Sequence, residues 1–160
     1  MQNKYTLLYI YIVGVLMALG MSACNDNTVY SQYEHTPIYG WEKNDTLSFI
    51  VPPMTSSGNY TEEIGLSISG NYPFLGLTLV TEQTIMPSME TRRDTLNCDL
   101  IDKHGNNKGS GVSQYQYLFH LTTLRLKEGE SMHIAIRHDM KREILPGICD
   151  VGVTLRKAAN

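Results

Sequence analysis

Cys24 is the residue whose surroundings most clearly predict a chemical event. A single charged residue, Lys4, stands near the start of the chain, an apolar run from Leu7 to Leu19 follows, and Ser22-Ala23 directly precede the cysteine. A positive start, a short apolar middle and small residues before a cleavage point are typical of a secretory signal peptide. A cysteine at that point resembles a bacterial lipobox, in which the chain is cut before the cysteine and the new amino end and the thiol receive lipid. We therefore predict lipidation of Cys24.

The length of the apolar run argues against a membrane-spanning helix. Such a helix needs about 20 apolar residues, and the polar residues Asn25-Asp26-Asn27 follow without the basic stop signal expected of an anchor. A soluble secreted protein with an incidental cysteine is the other alternative. The favoured prediction is a lipoprotein signal peptide over 1–23, a lipid anchor and tether over 24–36, and one domain over 37–160 that is held to the membrane by its lipid.

Charge and composition argue against nucleic-acid binding. The chain has 13 Lys and Arg residues against 16 Asp and Glu residues, a net charge of −3, and loss of Lys4 with the signal peptide makes the mature chain more acidic. The basic residues are scattered, and acids lie close to the two adjacent pairs, Arg92-Arg93 and Lys141-Arg142. The sequence therefore has no basic stripe of the kind that binds nucleic acid.

Two cysteines, Cys98 and Cys149, remain once Cys24 is lipidated. An exported protein resides in an oxidising compartment, so a disulfide between them is one interpretation. The favoured interpretation is a pair of thiols that act as small hydrophobic residues, because a domain of this length has enough core to fold without a cross-link.

Polar residues with catalytic potential do not form a recognisable constellation. The chain has no Gly-x-Ser-x-Gly motif, no phosphate-binding glycine loop and no Cys-x-x-Cys. Glu62 and Glu63 are adjacent on a predicted strand, so they point to opposite faces and cannot act as a pair. We predict a protein without catalytic residues or a cofactor.

A cluster near the C-terminus could in principle hold a metal. It consists of His133, His138, Asp139, Glu143 and Asp150. The pleat of a strand places His133 opposite to His138, and His138 opposite to Asp139. The favoured prediction is therefore no metal, with His138 a hydrogen-bonded histidine at the margin of the core.

Two short motifs resemble the Asp-Thr-apolar sequence at which some bacteria attach O-glycans to exported proteins. They are Asp45-Thr46-Leu47 and Asp94-Thr95-Leu96, with Thr46 and Thr95 as the acceptors. Three loosely defined positions are a weak signal. The favoured alternative is that each motif begins a strand and that its aspartate caps the strand start.

Alternation of apolar and polar residues predicts strands through most of the domain. The apolar faces contain Leu47/Phe49/Val51, Ile64/Leu66/Ile68, Leu75/Leu77/Leu79, Tyr115/Tyr117/Phe119, Met132/Ile134/Ile136 and Val151/Val153/Leu155. Turn formers such as Met86-Pro87-Ser88 and Leu145-Pro146-Gly147 separate these runs. Seven or eight short antiparallel strands with one apolar face each predict an all-β, two-sheet β-sandwich, and jelly-roll wiring is one of its options.

Aromatic residues near the start of the domain have two interpretations. Trp41, the only tryptophan, lies among turn formers after Tyr39, and it could stack on a ligand or close one end of the core. The favoured interpretation is the hydrophobic plug, since aromatic rings bury large areas. Residues 25–35 are polar without a sustained apolar period, which predicts a tether from the membrane to the domain, with contact between the domain and Val29, Tyr30 and Tyr33 as an option.

The chain as a whole resembles the gliding motility lipoprotein GldH family. The resemblance is carried by residues in order and spacing, namely Tyr30, Tyr33, Tyr39 and Trp41, then Asn71-Tyr72-Pro73, Asp94-Thr95-Leu96, Asp102, Gly105, Gly109 and Gly111, and finally His138, Met140, Arg142, Leu145-Pro146-Gly147-Ile148 and Asp150-Val151-Gly152. Asn106-Asn107 stand where the long loop of relatives often carries a tryptophan. Cys98 and Cys149 are not part of the family pattern, so it implies no disulfide.

The resemblance implies an outer-membrane lipoprotein of Bacteroidota. In gliding members, the family is needed for movement over surfaces alongside the type IX secretion machinery, and it brings no catalytic residues. The expected partners are envelope proteins of that machinery, and the membrane is contacted through the lipid. The alternative function is a glycan- or ligand-binding envelope lipoprotein, for which Trp41, Tyr115 and Tyr117 are the discriminating residues.

Overall fold

The structure, a computed structural model, describes residues 27–158, which form strands and turns without a helix. The strands are β1 (Thr28–His35), β2 (Trp41–Glu42), β3 (Leu47–Val51), β4 (Gly58–Ser69), β5 (Gly76–Met86), β6 (Glu90–Asp99), β7 (Ser110–Gly111), β8 (Gln114–Leu126), β9 (Ser131–His138), β10 (Ile144–Leu145) and β11 (Ile148–Lys157). The predicted all-β class is confirmed.

Two antiparallel sheets form the sandwich. The first has the strand order β1-β11-β4-β8-β7 and the second β3-β9-β5-β6, while β2 and β10 pair separately. Apart from the two-residue β7, the orders β1-β11-β4-β8 and β3-β9-β5-β6 place four strands in each sheet in the order of a jelly roll. The predicted jelly-roll option is the one that the strand order matches.

The core lies between the two sheets, and alternation along each strand selects its members. Ile64 of β4 pairs with Val153 of β11 and with Phe119 of β8, so these side chains share one face. In the second sheet, Ile134 of β9 pairs with Phe49 of β3. The predicted inward faces are confirmed with one exception, since Leu75 precedes β5 and is exposed.

The predicted tether is wrong from Thr28 onward, because these residues form β1 and pair with β11. The sequence of β1 lacks the apolar–polar alternation of a half-buried strand, because β1 is an edge strand whose side chains are mostly exposed on both faces. Tyr33 anchors it from outside the sandwich. Its ring lies across Gly152 of β11 and Gly65 of β4, where an added Cβ would come within 2.5 Å and 2.2 Å of Tyr33 atoms. Two glycines on neighbouring strands thus form the seat for one aromatic ring.

Candidate functional site

The two ends of the sandwich differ in their relation to the start of the chain. Asn27 accepts a hydrogen bond from the Lys157 amide at 2.8 Å, so the first described residue lies at the end where β11 finishes. We call this the anchor end, because Cys24 is three residues earlier in the sequence. The eight residues of β1 lead away from it and span roughly 27 Å at about 3.4 Å per residue. The loops beyond His35 therefore form a distal end.

Several loops of the distal end carry exposed apolar side chains. We call Ile38, Tyr39, Val112 and Ile144 the distal loop surface; Ile38 and Val112 are 105 % and 91 % exposed. Ile144 packs on Gly40, where an added Cβ would lie 2.6 Å from its Cγ2 atom. Large apolar groups held in water on loops are typical of protein contact sites.

A cleft of about 640 Å³ opens beside Ile38 at the same end. Its walls come from the segment after β1, the end of β4 and the turn that leads into β11, and they include Thr36, Ser69, Pro146 and Ile148. The Thr36 hydroxyl donates to the Ile148 carbonyl at 2.6 Å, and the Ser69 amide donates to the Gly147 carbonyl at 2.8 Å. Gly147 has φ = 84°, which agrees with the predicted turn. The walls of the cleft are thus fixed by hydrogen bonds.

Trp41 and His138 support the distal loops from beneath. Trp41 is fully buried and its Nε1 donates to the Asp45 carbonyl at 3.0 Å. The His138 Nε2 atom lies 3.0 Å from the Trp41 carbonyl, and the two rings meet edge to face. Burial lowers the pKa of His138, so the imidazole stays neutral at neutral pH. The predictions of a tryptophan plug and of a hydrogen-bonded histidine are confirmed, although His138 is fully buried rather than marginal.

A second distal feature is a small aromatic cavity of about 240 Å³. Tyr72, Phe74, Tyr115 and Tyr117 line it, and the rings of Tyr72 and Phe74 meet edge to face at 5.5 Å. The Tyr117 hydroxyl donates to the Leu100 carbonyl at 3.3 Å. Since Tyr117 is buried and Tyr115 partly buried, neither offers an open stacking face to a sugar.

The long loop after β6 is ordered by Asp102. Its carboxylate accepts hydrogen bonds from the amides of His104 and Asn106 at 2.8 and 2.9 Å and from the Asn106 side chain at 3.1 Å. These bonds, those from Asn106 first, lower the pKa of Asp102. The carboxylate therefore acts as the organiser of an Asx-type turn, and Gly105 has the positive φ that the turn requires.

A groove of about 850 Å³ crosses the outer face of the first sheet. Tyr33 lies at its floor with 44 % of its surface exposed. Polar side chains flank the ring, and many already pair with each other, as Ser31 does with Thr154 at 3.1 Å and Gln116 with Ser67 at 3.0 Å. The groove therefore offers the Tyr33 ring among neutral and charged polar groups, the charged ones being Asp99, Lys108 and Arg156.

The predicted modification sites have different outcomes. Cys24 lies outside the described residues. Cys98 and Cys149 are free cysteines, the first buried and the second partly exposed, so the disulfide interpretation is not supported. Thr46 and Thr95 are exposed, and their glycosylation stays a prediction. The cap interpretation is wrong for Asp94, which lies in the middle of β6.

Glu62 was missed as a site of interest by sequence reasoning. It faces the interior while Glu63 faces outward to Arg156 at 3.4 Å, which confirms the predicted opposite faces. Burial first, and then the charge of Asp94, raise the pKa of Glu62 to about 8. The only signal in the sequence was its place in the alternation, two residues before Ile64.

Residues 27–158 contain neither a metal-binding cluster nor a membrane-spanning helix. Within that range, no three His, Cys, Asp or Glu side chains are grouped so that they could hold a metal. The same part of the chain contains no helix of the length and hydrophobicity needed to cross a bilayer.

Comparison with known proteins gives a family match over nearly the whole domain. The model of the GldH lipoprotein family matches residues 28–155. The gliding motility lipoprotein GldH of Flavobacterium johnsoniae is 27 % identical over 150 residues, which cover 89 % of this chain and 93 % of that protein.

Solved structures with a similar arrangement of strands are more distant. A family GH115 4-O-methyl-α-glucuronidase has a TM-score of 0.45 and 14 % identity, with 82 % of this chain and 18 % of that one covered. A family 35 carbohydrate-binding module from Clostridium thermocellum has a TM-score of 0.39 and 8 % identity over 77 % of this chain and 86 % of that one. Likenesses this weak carry no information on ligands. The family match, which begins at β1 and ends within β11, shows that the chain belongs to the GldH lipoprotein family.

Proposed function

We propose that this protein is an outer-membrane lipoprotein, lipidated at Cys24, that serves as a non-enzymatic component of the gliding motility and type IX secretion-associated machinery. The observation that carries the proposal is the family match over residues 28–155, which spans the folded domain rather than one motif. The curated relative is itself named as a gliding motility lipoprotein. The protein acts by binding envelope proteins.

The distal loop surface is the part of the domain best suited to bind those proteins. A lipid on Cys24 would hold the anchor end near the membrane, because three residues span at most about 11 Å. The distal loops would then project away from the bilayer, where a partner can reach them. Tyr39 and Ile38 supply exposed apolar area, and such anchors provide most of the binding energy of protein interfaces. The mildly acidic chain offers little electrostatic steering.

Site-specific photo-crosslinking in intact cells tests this proposal. A photoreactive residue at Ile38 should capture secretion or motility proteins, whereas the same residue at Ile50 should not. Ile50 is the matched control because it is also apolar and 75 % exposed, but lies on β3 rather than on the distal loops. Equal capture at both positions, or none at Ile38, would count against the distal surface. Loss of gliding in cells that lack the protein would not show whether partners bind at the distal loop surface or elsewhere on the domain.

A second candidate, saccharide binding, is supported by the groove around Tyr33. Trp41 cannot serve it, because the ring is fully buried. Tyr33 provides an exposed ring among polar groups, which is the chemistry that a sugar requires. Saturable binding to a purified envelope polysaccharide, weakened by Gln116→Ala and unchanged by Ile38→Ala, would favour this candidate over protein binding.

A further inference from the structure

On one side of the sandwich, both sheets end in a strand with a free edge. In the second sheet, β6 pairs with β5 alone. In the first sheet, the last strand β7 has two residues and pairs only with Tyr115 and Gln116 of β8. Over residues 117–126, β8 pairs with β4 and with no other strand that the structure describes. We call the side formed by β6 and residues 117–126 the open side; free strand edges of this kind can accept another strand.

Apolar side chains on the open side are only partly covered. Leu96 of β6 and both Phe119 and Leu121 of β8 are half-buried and pack against the core. By contrast, Ile64 and Ile134 on the central strands are fully buried. A strand added at the open side would therefore remove further apolar area from water, which is favourable.

Two charged residues of β6 lie on the same face of the strand as Leu96. Arg92, Asp94 and Leu96 alternate along β6 and pair with buried residues of β5, so all three lie on its inward face. Inward-pointing charges on an edge strand prevent indiscriminate pairing with other chains. A strand can therefore add to β6 at low cost only if it places complementary charges opposite Arg92 and Asp94.

Neither Arg92 nor Asp94 takes part in an ion pair within residues 27–158. Oδ2 of Asp94 is buried without a hydrogen-bond partner. Across the interior, Glu62 is fully buried, and neither of its carboxyl oxygens has a well-aligned partner. Buried acceptors of this kind cost free energy unless a donor reaches them. A basic side chain brought to the open side would supply that donor.

We propose that the open side is a strand-acceptor site, at which an extended segment of a partner protein pairs antiparallel with β6 and places a basic side chain opposite Asp94 and an acidic one opposite Arg92. Antiparallel pairing is the more stable arrangement. The residues opposite Leu96, Asp94 and Arg92 then occupy every second position of the added strand. The segment therefore reads apolar-x-basic-x-acidic from its N-terminal end. Backbone hydrogen bonds provide the affinity of such a complex, and the alternate side chains provide its specificity.

A second copy of this chain fits the open side less well. Two antiparallel β6 strands could place Arg92 of each copy opposite Asp94 of the other. That register also brings the two Arg93 side chains opposite each other, and like charges in this position are destabilising. It would also turn the two copies end over end, so that their anchor ends point in opposite directions. A segment with a neutral residue opposite Arg93 avoids both conflicts.

NMR titration of the purified mature protein with two synthetic peptides, blocked at both ends, tests the strand-acceptor site. The first peptide, Thr-Val-Thr-Lys-Thr-Glu-Thr, carries the proposed pattern, and the second, Thr-Val-Thr-Glu-Thr-Lys-Thr, has the same composition with the two charges exchanged. The first should shift backbone amides of β6 and bind about tenfold more tightly, because the second places like charges opposite Asp94 and Arg92. Equal affinities, no shift at millimolar peptide, or shifts confined to the distal loop surface would overturn the proposal.

Arg92→Glu provides a matched test, and it should fold because Arg92 is exposed. Each peptide would then meet one opposite and one like charge, so the preference for the first peptide should disappear. Arg93→Gln is the control, since Arg93 faces outward to Glu82 at 3.1 Å, and it should keep the preference. A preference that survives Arg92→Glu would contradict the pairing.

Sedimentation of the protein without peptide distinguishes a second copy from a partner segment. The protein should remain monomeric at the concentrations of the titration. A dimer that Arg92→Glu abolishes would assign the open side to a second copy and overturn its assignment to a partner segment.

Discussion

The Tyr33 ring packs against two glycines, Gly65 and Gly152. We predict that the effect of Gly152→Ala on stability changes sign when Tyr33 is removed. Gly152→Ala would place a methyl group 2.5 Å from ring carbons of Tyr33, whereas carbon atoms prefer a separation of about 3.5–4.0 Å. The ring must therefore move outward by about 1 Å. Overpacking of this kind destabilises the folded state by about 1–3 kcal/mol. Alanine also restricts the unfolded chain more than glycine does, which stabilises the folded state by about 0.4–1 kcal/mol. We expect a net loss of about 1.3 kcal/mol, the difference between the midpoints of these two ranges.

The same substitution should change sign when Tyr33 is removed. In a Tyr33→Ala background the steric conflict is gone, and Gly152→Ala should stabilise the domain by about 0.4–1 kcal/mol. Gly152 does not have a positive φ, so alanine can adopt its backbone conformation. The coupling between the two substitutions should then equal the steric cost, about 1–3 kcal/mol, which falls within the range of about 0.5–3 kcal/mol for residues in contact.

Urea denaturation of the four proteins in this double-mutant cycle measures the coupling directly. Gly58→Ala is the control, because its added Cβ would meet only the flexible end of Lys157, with Cε at 3.0 Å. It should be neutral or mildly stabilising in both backgrounds. An equal cost of Gly152→Ala with and without Tyr33 would rule out the steric conflict, since the loss of stability would then arise from the strand and not from the ring.

Four other substitutions test the strand faces, the turn before β11 and the lipid anchor. Ile134→Asp should unfold the domain because it places an unpaired charge in the core, whereas the exposed His133→Asp should leave urea stability nearly unchanged; equal costs would show that the faces of β9 are misassigned. Gly147→Val should lower the melting temperature, because valine disfavours φ = 84° and its Cβ would lie 3.2 Å from the Tyr72 backbone; an unchanged melting temperature would contradict the strain. Cys24→Ser should leave the precursor uncut, and mass spectrometry of the mature amino end would reveal an unmodified or differently placed start if the lipid prediction is wrong.

The fold class and most of the core could be predicted from the amino-acid sequence. Alternation of period two assigned Ile64, Ile134 and Val153 to inward faces, and the structure agrees. This succeeds because strands buried on one face must alternate apolar and polar residues. The same rule assigned opposite faces to Glu62 and Glu63. Residue spacing over the whole chain also carried the resemblance to the family that the comparison then showed.

Features that depend on neighbours distant in the sequence could not be predicted and became visible only in the folded domain. Strand β1 has little alternation of its own, and it is a strand because β11 offers an unpaired edge and the two glycines seat Tyr33. Leu75 fits the apolar alternation, but it lies just before the first residue of β5, where no opposite sheet covers it. Glu62 became unusual only when the sheets brought Gln83 and Asp94 beside it. Each of these outcomes depends on contacts between distant segments, and a pattern read along one strand contains no information on what faces it.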